Sequence, residues 1–241
     1  MSRTLGSSAV SVSLERDGSV TVIRLDDGKA NAITHDVLAA IDGAVSTVRD
    51  DGATAVLLAG RPGRFSAGFD LSVMTAGEDQ MRSLVTAGAE LLMRMFTCPV
   101  PVVCACTGHA LAAGALLLLA SDVRIGAAGD FKLGLNEVAI GMGLPVFATE
   151  LARYRLTPAG FNAALFGEVF DPDEAAALGY LDRVVAAEEV VDEAMRTAQR
   201  LGELRTGAVA HSKQQARGAL ARTILDSLPA DMASLSGPNP G

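Results

Sequence analysis

One glutamate is distinctive because it is the only carboxylate in a long apolar stretch. Glu137 lies in the segment Phe131–Gly143, which has no other acidic residue. If this carboxyl is buried, its ionised form is disfavoured and it becomes a competent general base. An exposed loop glutamate is the alternative interpretation and is the more common situation in proteins. Glu137 is therefore a candidate catalytic residue whose role depends on burial.

Two segments of small residues each follow a predicted buried strand. In the first, Arg61–Leu71, the small residues at 66–68 would let a ligand lie against the main chain. The second, Gly108–Gly114, opens a buried helix, and the first turn of a helix presents unpaired N–H groups. Two N–H donors that converge from separate loops form an oxyanion hole, which a thioester enolate requires. Simple turns or close helix packing explain either segment when it is taken alone.

Apolar periodicity predicts the elements that must position these segments. Two alternating stretches, Val10–Leu14 and Val20–Leu25, flank Asp17-Gly18 and predict a β-hairpin. Nearly continuous apolar runs predict buried strands at residues 53–59, 100–106 and 123–127. Helical spacing predicts helices at residues 34–48, 81–96, 111–120, 146–153, 158–165, 172–178, 188–201 and 208–228. Strands alternate with helices over about two thirds of the chain and helices alone follow, which indicates an α/β fold with a helical C-terminal segment.

Composition narrows the class of protein. The 241 residues suffice for a substantial core, and 49% hydrophobic with 20% charged residues fits an ordered globular chain. The net charge of −8 argues against nucleic acid, whose binding depends on neutralising phosphates. Cys98–Ala120 carries no formal charge, but its prolines and the turn at residues 107–109 indicate a strand and a helix rather than a membrane span. We expect a cytoplasmic protein that binds neither nucleic acid nor membrane.

Other reactive side chains have simpler explanations. Cys98, Cys104 and Cys106 lie in an apolar run without metal-ligand spacing, so we expect small buried side chains and no metal site. Ser66 has no identifiable base with which to form a hydrolase triad. His109 is expected to be structural. The glycine fingerprint of dinucleotide enzymes and the phosphate loop are both missing from the sequence.

The candidate segments occur together in the order and spacing of one known family. Arg61–Leu71, Gly108–Gly114 and the surroundings of Glu137, together with Lys29–Ala32, resemble the enoyl-CoA hydratase/isomerase (crotonase) family over about residues 10 to 230. The resemblance implies an α/β fold, a crotonase-like spiral of ββα units with a helical C-terminal segment. It implies a core over residues 1–190, a helical trimerisation segment over 191–233 and a flexible tail over 234–241. The expected partner is an acyl-CoA thioester, and the expected assembly is a homotrimer or a dimer of trimers.

The resemblance also implies individual roles. The N–H groups of Phe69 and Ala113 would form the oxyanion hole, and Glu137 would be the catalytic carboxylate. The family usually has glycine where Ala113 stands, but alanine retains the N–H. A further set would line the adenine and pantetheine path of CoA: Lys29, Ala30, Ala32, Ala67, Gly68, Asp70 and Leu71. Because CoA is part of the substrate, no separate cofactor is expected.

Two departures from the family pattern bear on the reaction. Leu116 stands where the family's hydratases have their first glutamate, and Pro145 occupies another carboxylate position. A lone glutamate suits proton transfer between C2 and C4 of an enoyl-CoA, and Gly134–Glu137 resembles the isomerase branch. We therefore predict a Δ3,Δ2-enoyl-CoA isomerase. Two alternatives stay open: an enoyl-CoA hydratase of fatty-acid β-oxidation with water held by Glu137 alone, and a non-catalytic acyl-CoA-binding protein.

Some further side chains have two possible roles. Arg61 and Arg64 are candidates for phosphate contacts from the first loop. Lys213 and Arg217 are four residues apart on one helix face, which would either meet a CoA phosphate or lie in solvent. An acyl tunnel and ordinary core packing explain another set equally well: Met74, Met142, Leu144, Val146 and Phe147.

Overall fold

The computed structural model describes residues 3–4 and 11–237. Within them the strands are β1 Arg3–Thr4, β2 Ser11–Asp17, β3 Val20–Asp26, β4 Ala32–Ile33, β5 Ala55–Ala59, β6 Gly63–Ser66, β7 Gly68–Phe69, β8 Val102–Cys106, β9 Gly108–Leu111, β10 Val123–Ala127, β11 Leu133–Gly134 and β12 Arg183–Val185. The α-helices are α1 His35–Ser46, α2 Leu71–Met74, α3 Glu78–Phe96, α4 Ala113–Ala120, α5 Val146–Arg155, α6 Pro158–Ala164, α7 Pro172–Leu178, α8 Val190–Gly202 and α9 Thr206–Ser234. A 3-10 turn covers Val138–Ile140.

A mixed sheet with the order β1-β2-β3-β5-β8-β10-β12 forms the centre of the molecule. The first three strands pair antiparallel, and every later pair is parallel. In β5, Val56 and Leu58 enter the larger apolar cluster with α1, α3 and α4, whereas Leu57 enters a second cluster with α8. Helices thus cover both faces of the sheet, which explains why its inner strands are continuously apolar.

Two smaller sheets join segments that are distant in the chain. Strands β6, β9 and β11 form one parallel sheet, with Gly63 opposite Gly108. A methyl group at Gly108 would lie 2.1 Å from the carbonyl carbon of Gly63, so this crossing requires glycine. Strands β4 and β7 form a second parallel pair, with Ala32 opposite Gly68. These pairings bring the two loops of small residues and the segment before Glu137 into one region.

The predicted helices and buried strands are all present, some with shifted bounds, whereas several short strands and the short helix α2 were missed. The hairpin is formed by β2 and β3, although Val10 lies outside the described residues, and β10 has its predicted bounds. The predicted loop at residues 60–68 contains β6, and β9 precedes α4, which begins at Ala113 rather than residue 111. Strand β12 follows α7, so the prediction that only helices follow the α/β region is wrong. Each missed strand pairs with a distant partner, which local periodicity does not register.

The long helix α9 is attached to the sheet by a buried ion-pair cluster. The Lys213 Nζ atom lies 2.7 Å from Oδ2 of Asp122, and Nη1 of Arg217 lies 2.6 Å from Oδ1. Lys213 also donates to the carbonyl of Val100, and Arg217 donates to that of Phe96. Both interpretations of Lys213 and Arg217, as CoA phosphate contacts or as a solvated face, are therefore wrong. The cause is the carboxylate of Asp122, 91 residues earlier in the chain than Lys213, which pairs with both cations.

The three cysteines are free and buried, as predicted. Cys104 and Cys106 lie in β8, an interior strand of the main sheet, and Cys98 lies between α3 and β8. Burial raises the pKa of all three thiols, that of Cys104 to about 12. They therefore act as small apolar side chains rather than as nucleophiles.

The described residues also bear on the predictions about a membrane span, a metal site and the C-terminal tail. Within them, no helix combines the length and apolarity needed to cross a membrane, and no three His, Cys, Asp or Glu side chains are grouped so as to hold a metal ion. The predicted flexible tail over residues 234–241 is described only to Gly237. In that part Ser234 ends α9 and Leu235 is buried. Residues 238–241 lie outside the described residues.

Candidate functional site

A cavity of about 520 Å³ contains the candidate glutamate. Its wall is mainly apolar, with Ser72, Thr75 and Asn136 as uncharged polar members. Of the described side chains that line the cavity, Glu137 is the only ionisable one. A mainly apolar cavity with one carboxylate is an arrangement that binds an apolar ligand next to a single acid/base group.

Glu137 is buried, with 8% of its surface exposed. It precedes the 3-10 turn, and its carbonyl accepts the N–H groups of Ile140 and Met142. Its Oε2 atom has no hydrogen-bond partner among the described residues. Burial without such a partner raises the pKa of the Glu137 carboxyl to about 7. The carboxyl is thus suited to exchange a proton near neutral pH.

Strand β7 and the first turn of α4 lie directly against each other. A methyl group at Gly68 would be 2.9 Å from Cβ of Ala112 and 3.2 Å from the amide nitrogen of Ala113. The Asp70 N–H donates to β4, and alternate N–H groups of a strand point in opposite directions, so the Phe69 N–H points away from β4. Ala113 begins α4, where an N–H has no intrahelical acceptor. Two main-chain donors therefore lie in adjoining segments beside the cavity.

Ala112, which precedes α4 and lines the cavity, has a strained backbone with φ 49° and ψ −125°. We expect Ala112→Gly to raise the free energy of unfolding by about 1 kcal/mol. Relief of strain, about 1–3 kcal/mol, is partly offset by about 0.4–1 kcal/mol of added entropy in the unfolded chain. Ala115→Gly, in the regular part of α4, is the matched control. Its free energy of unfolding should fall by about 0.5–1 kcal/mol. Urea unfolding measures the free energy of unfolding of both variants. A lower value for Ala112→Gly than for the unmodified protein would contradict the assignment of strain.

The residues predicted to line the CoA path surround the β4–β7 pair. The Ala67 N–H donates to the carbonyl of Ala30, directly before that pair. Asn31 has a φ of 52°, and its side-chain amide donates to the main-chain carbonyls of residues 25, 64 and 65. This asparagine ties the two segments together. Sequence patterns gave no sign of that role, since a polar residue beside a turn is common.

The other predicted CoA-path residues differ in exposure. Lys29 is exposed, and its carbonyl accepts a hydrogen bond of 2.9 Å from Nε of Arg61. Leu71 lines the cavity although it is 63% exposed. The Asp70 carboxylate accepts the N–H of Ser72 at 2.8 Å and caps α2, and hydrogen bonding to Ser72 lowers the pKa of Asp70. Asp70 thus has a capping role that the sequence did not reveal.

The two positions that lack the family's additional carboxylates both face the cavity. Leu116 is buried in its wall, and Pro145 lines it as well. Of the apolar residues considered for an acyl tunnel, Met74, Met142 and Phe147 line the cavity, whereas Leu144 and Val146 do not belong to its described wall. Leu235 is a further lining residue, missed because it was assigned to the tail.

Two polar residues of the loops have structural partners. The Ser66 hydroxyl donates to the Asn31 carbonyl at 2.7 Å and accepts the N–H of Gly68. The His109 Nδ1 atom accepts the N–H of Lys132 at 3.0 Å, and burial lowers the pKa of His109. The expected structural role of His109 agrees with this contact.

Comparisons with known proteins identify relatives across most of the chain. The family model for enoyl-CoA hydratase/isomerase matches residues 15–236. A probable enoyl-CoA hydratase of Bacillus subtilis (strain 168) is 31% identical over 198 residues, covering 80% of this chain and 76% of that protein. A solved structure of an enoyl-CoA hydratase/isomerase family protein from Pseudomonas syringae matches with a TM-score of 0.90 and 40% identity, covering 93% of this chain and 98% of that one. Human mitochondrial delta3-delta2-enoyl-CoA isomerase matches with a TM-score of 0.87 and 28% identity, covering 92% and 89% respectively.

Proposed function

Because this chain belongs to the enoyl-CoA hydratase/isomerase family of acyl-CoA enzymes, we propose that it moves the double bond of an enoyl-CoA thioester with Glu137 as its single acid/base. The predicted crotonase-like fold with its helical C-terminal segment is confirmed. One observation supports isomerisation over hydration. Glu137 is the only ionisable described residue in the cavity wall, and Leu116 and Pro145 occupy the positions of other carboxylates.

In the proposed reaction the Glu137 carboxylate removes a proton from C2 of a 3-enoyl-CoA. The electron pair passes into the thioester, which becomes a dienolate, and the N–H groups of Phe69 and Ala113 donate to its oxygen. The protonated Glu137 then returns the proton at C4, which yields the conjugated 2-enoyl-CoA. The proton moves only within the substrate, so no water, metal or separate cofactor is consumed. A single carboxylate of pKa about 7 suffices because it acts first as base and then as acid.

The CoA portion is assigned to the surface around the β4–β7 pair. Main-chain groups and small side chains there would follow the adenine and pantetheine, with contributions from Lys29, Ala30, Ala32, Ala67, Gly68, Asp70 and Leu71. Arg61 lies two residues before β6 and Arg64 within it, and Arg64 is exposed. Their guanidinium groups would supply the positive charge that CoA phosphates require in an otherwise acidic chain.

The pH dependence of the reaction follows from the pKa of Glu137. Only the carboxylate can take the first proton, so kcat/KM should rise as the pH increases through about 7 and level off above it. A pH profile of kcat/KM with a 3-enoyl-CoA tests this expectation. Glu90→Gln, at an exposed glutamate of α3, is the control and should leave the profile unchanged. A midpoint near that of an ordinary glutamate, about 4.3, would show that a different group is the base.

Hydration of a 2-enoyl-CoA is the second candidate. The Bacillus subtilis relative is a probable hydratase, and Asn136 lines the cavity beside Glu137. The Asn136 Oδ1 atom is buried without a hydrogen-bond partner among the described residues, so it can accept from a water molecule. Asn136 and Glu137 together would then hold the water that Leu116 cannot.

A paired turnover assay separates the two reactions. One arm offers a 3-enoyl-CoA and follows the conjugated thioester, and the other offers crotonyl-CoA and follows its loss by hydration. Conversion in the first arm alone supports the isomerase. Conversion in the second arm, lost in Asn136→Leu, supports a hydratase whose water is held by Asn136. If neither substrate is converted but acyl-CoA still binds, the protein is a non-catalytic acyl-CoA-binding protein or catalyses a different thioester reaction.

We propose further that the protein acts in the cytoplasm as a homotrimer or a dimer of trimers. The support is the family resemblance and the helical segment at residues 191–233. Light scattering after size-exclusion chromatography measures the mass. A monomeric mass at micromolar concentration would contradict this assembly.

A further inference from the structure

The end of α9 is fixed to the start of α5. Asp231 Oδ2 accepts the N–H of Val146, the first residue of α5, at 2.7 Å. The residue that precedes α5, Pro145, provides no side-chain cap of its own. A carboxylate from another helix therefore caps α5, where the helix dipole also favours negative charge. Pro229 lies two residues before Asp231 and lacks the N–H for an intrahelical bond, which allows the last turn to bend.

This attachment places one side chain of the C-terminal segment in the cavity wall. Leu235 follows α9 with extended backbone, and its N–H donates to the carbonyl of Met232. Its side chain is 7% exposed and lines the cavity. The other lining residues come from positions 67–147, so Leu235 is the sole described contribution from the last 90 positions of the described chain.

The chain then continues to Gly237, which lies beside α2 and α3. A methyl group at Gly237 would lie 3.4 Å from Sδ of Met81 and 3.7 Å from the carbonyl oxygen of Met74. Met81 belongs to α3 and Met74 to α2, and Met74 itself lines the cavity. Residues 235–237, here called the closing segment, thus connect the lining residue Leu235 to a position beside Met74 and Met81.

We infer that Leu235 is a specificity-determining residue that limits the length of the acyl chain, an inference that rests on the proposed function. The cavity wall is mainly apolar, with Met74, Met142 and Phe147 among its members, and apart from Glu137 its described side chains carry no charge that could recognise a polar tail. An acyl chain that enters the cavity extends until it meets Leu235, and a longer chain must displace the closing segment. The favoured substrates are therefore apolar acyl thioesters whose tail ends at this leucine.

The test compares acyl-chain length in binding and in turnover. Calorimetry measures the affinity of saturated acyl-CoAs from butanoyl- to dodecanoyl-CoA, which do not react, and assays measure kcat/KM for 3-enoyl-CoAs of increasing length. Leu235→Ala opens space, so the preference should move to longer chains, with the long-to-short ratio raised on the order of 10-fold. Leu235→Phe should move it to shorter chains. Leu225→Ala is the matched control, because Leu225 is half exposed on α9 outside this cavity.

The outcomes bear separately on the role of Leu235 and on the proposed reaction. Opposite shifts in the alanine and phenylalanine variants support the inference, since partial unfolding would lower affinity for all chains alike. Unchanged length profiles in both variants, or shifts in one direction, overturn it. Length-dependent binding without turnover would reject the proposed reaction and leave the role of Leu235 standing. Lack of acyl-CoA binding by the unmodified protein would overturn both.

Discussion

Glu137→Gln is expected to lower the turnover of a 3-enoyl-CoA by about 10²–10⁴ while acyl-CoA binding is retained. Glutamine has nearly the same shape but cannot take a proton from C2 or return it at C4, and general acid–base catalysis typically contributes a factor of this size. The backbone donors and the apolar wall remain in the variant, so the loss should fall on kcat rather than on the affinity for saturated acyl-CoA. Stopped or continuous assays of kcat and KM, together with calorimetry, measure the two effects separately.

The same variant makes a second prediction, for stability. The pKa of Glu137 is raised in the folded state, so the folded protein binds a proton more tightly than the unfolded chain. Its contribution to stability therefore falls as the pH rises from about 4.5 to about 7 and is constant above that, with an upper limit of about 3 kcal/mol. Glu137→Gln should be at least as stable as the unmodified protein at pH 8. A variant that is inactive because it unfolds would contradict both expectations, and Glu90→Gln should change neither quantity.

Asp122→Ala is expected to destabilise the protein by about 3–5 kcal/mol. The substitution removes the carboxylate that pairs with Lys213 and Arg217 and accepts the N–H of Val102 at 2.8 Å. Two cations with little exposed surface would then lie side by side without an acidic partner, and breaking a buried ion pair in this way has that cost. Guanidinium chloride unfolding, followed by circular dichroism, measures the change in midpoint and slope.

Glu150→Ala is the matched control for that experiment. Glu150 pairs with Arg153 within α5, where the arginine side chain is 57% exposed. Exposed pairs of this kind contribute about 0–1 kcal/mol. An Asp122→Ala effect no larger than that of Glu150→Ala would show that α9 is attached by apolar packing alone. Because the closing segment directly follows α9, a large loss of stability in Asp122→Ala should also weaken the preference for acyl-chain length.

The sequence predicted the elements whose signal is local. The apolar run of β10 and the capped helix α7 have their predicted bounds, since periodicity and turn chemistry act within a few residues. The site segments were also located: Phe69, Leu116 and Glu137 line one cavity although 68 positions separate the first from the last. Their chemistry depends on burial, which only the three-dimensional structure supplies.

The missed features depend on partners that are distant in the chain. Strand β9 is defined by its pairing with β6, and glycine is required at position 108 because Gly63 lies close to it. Lys213 is buried beside Asp122, and the hydrogen bond between Asp231 and Val146 links the end of α9, just before Leu235, to α5. Each of these is a tertiary contact that leaves no periodic mark on either segment. The features that sequence patterns missed are therefore those set by contacts between distant segments, such as the ion pairs of α9 with Asp122.

The three buried thiols can report local and global unfolding of the protein. The chain has no tryptophan, so fluorescence offers little signal, but a maleimide reagent can modify these cysteines only when the surrounding structure exposes them. Cys104 and Cys106 lie in the interior strand β8 and should be labelled only on global unfolding. Cys98, in the connection between α3 and β8, should be labelled sooner if this connection opens independently of the sheet. Mass spectrometry of the labelled peptides would then time the two events in a single sample.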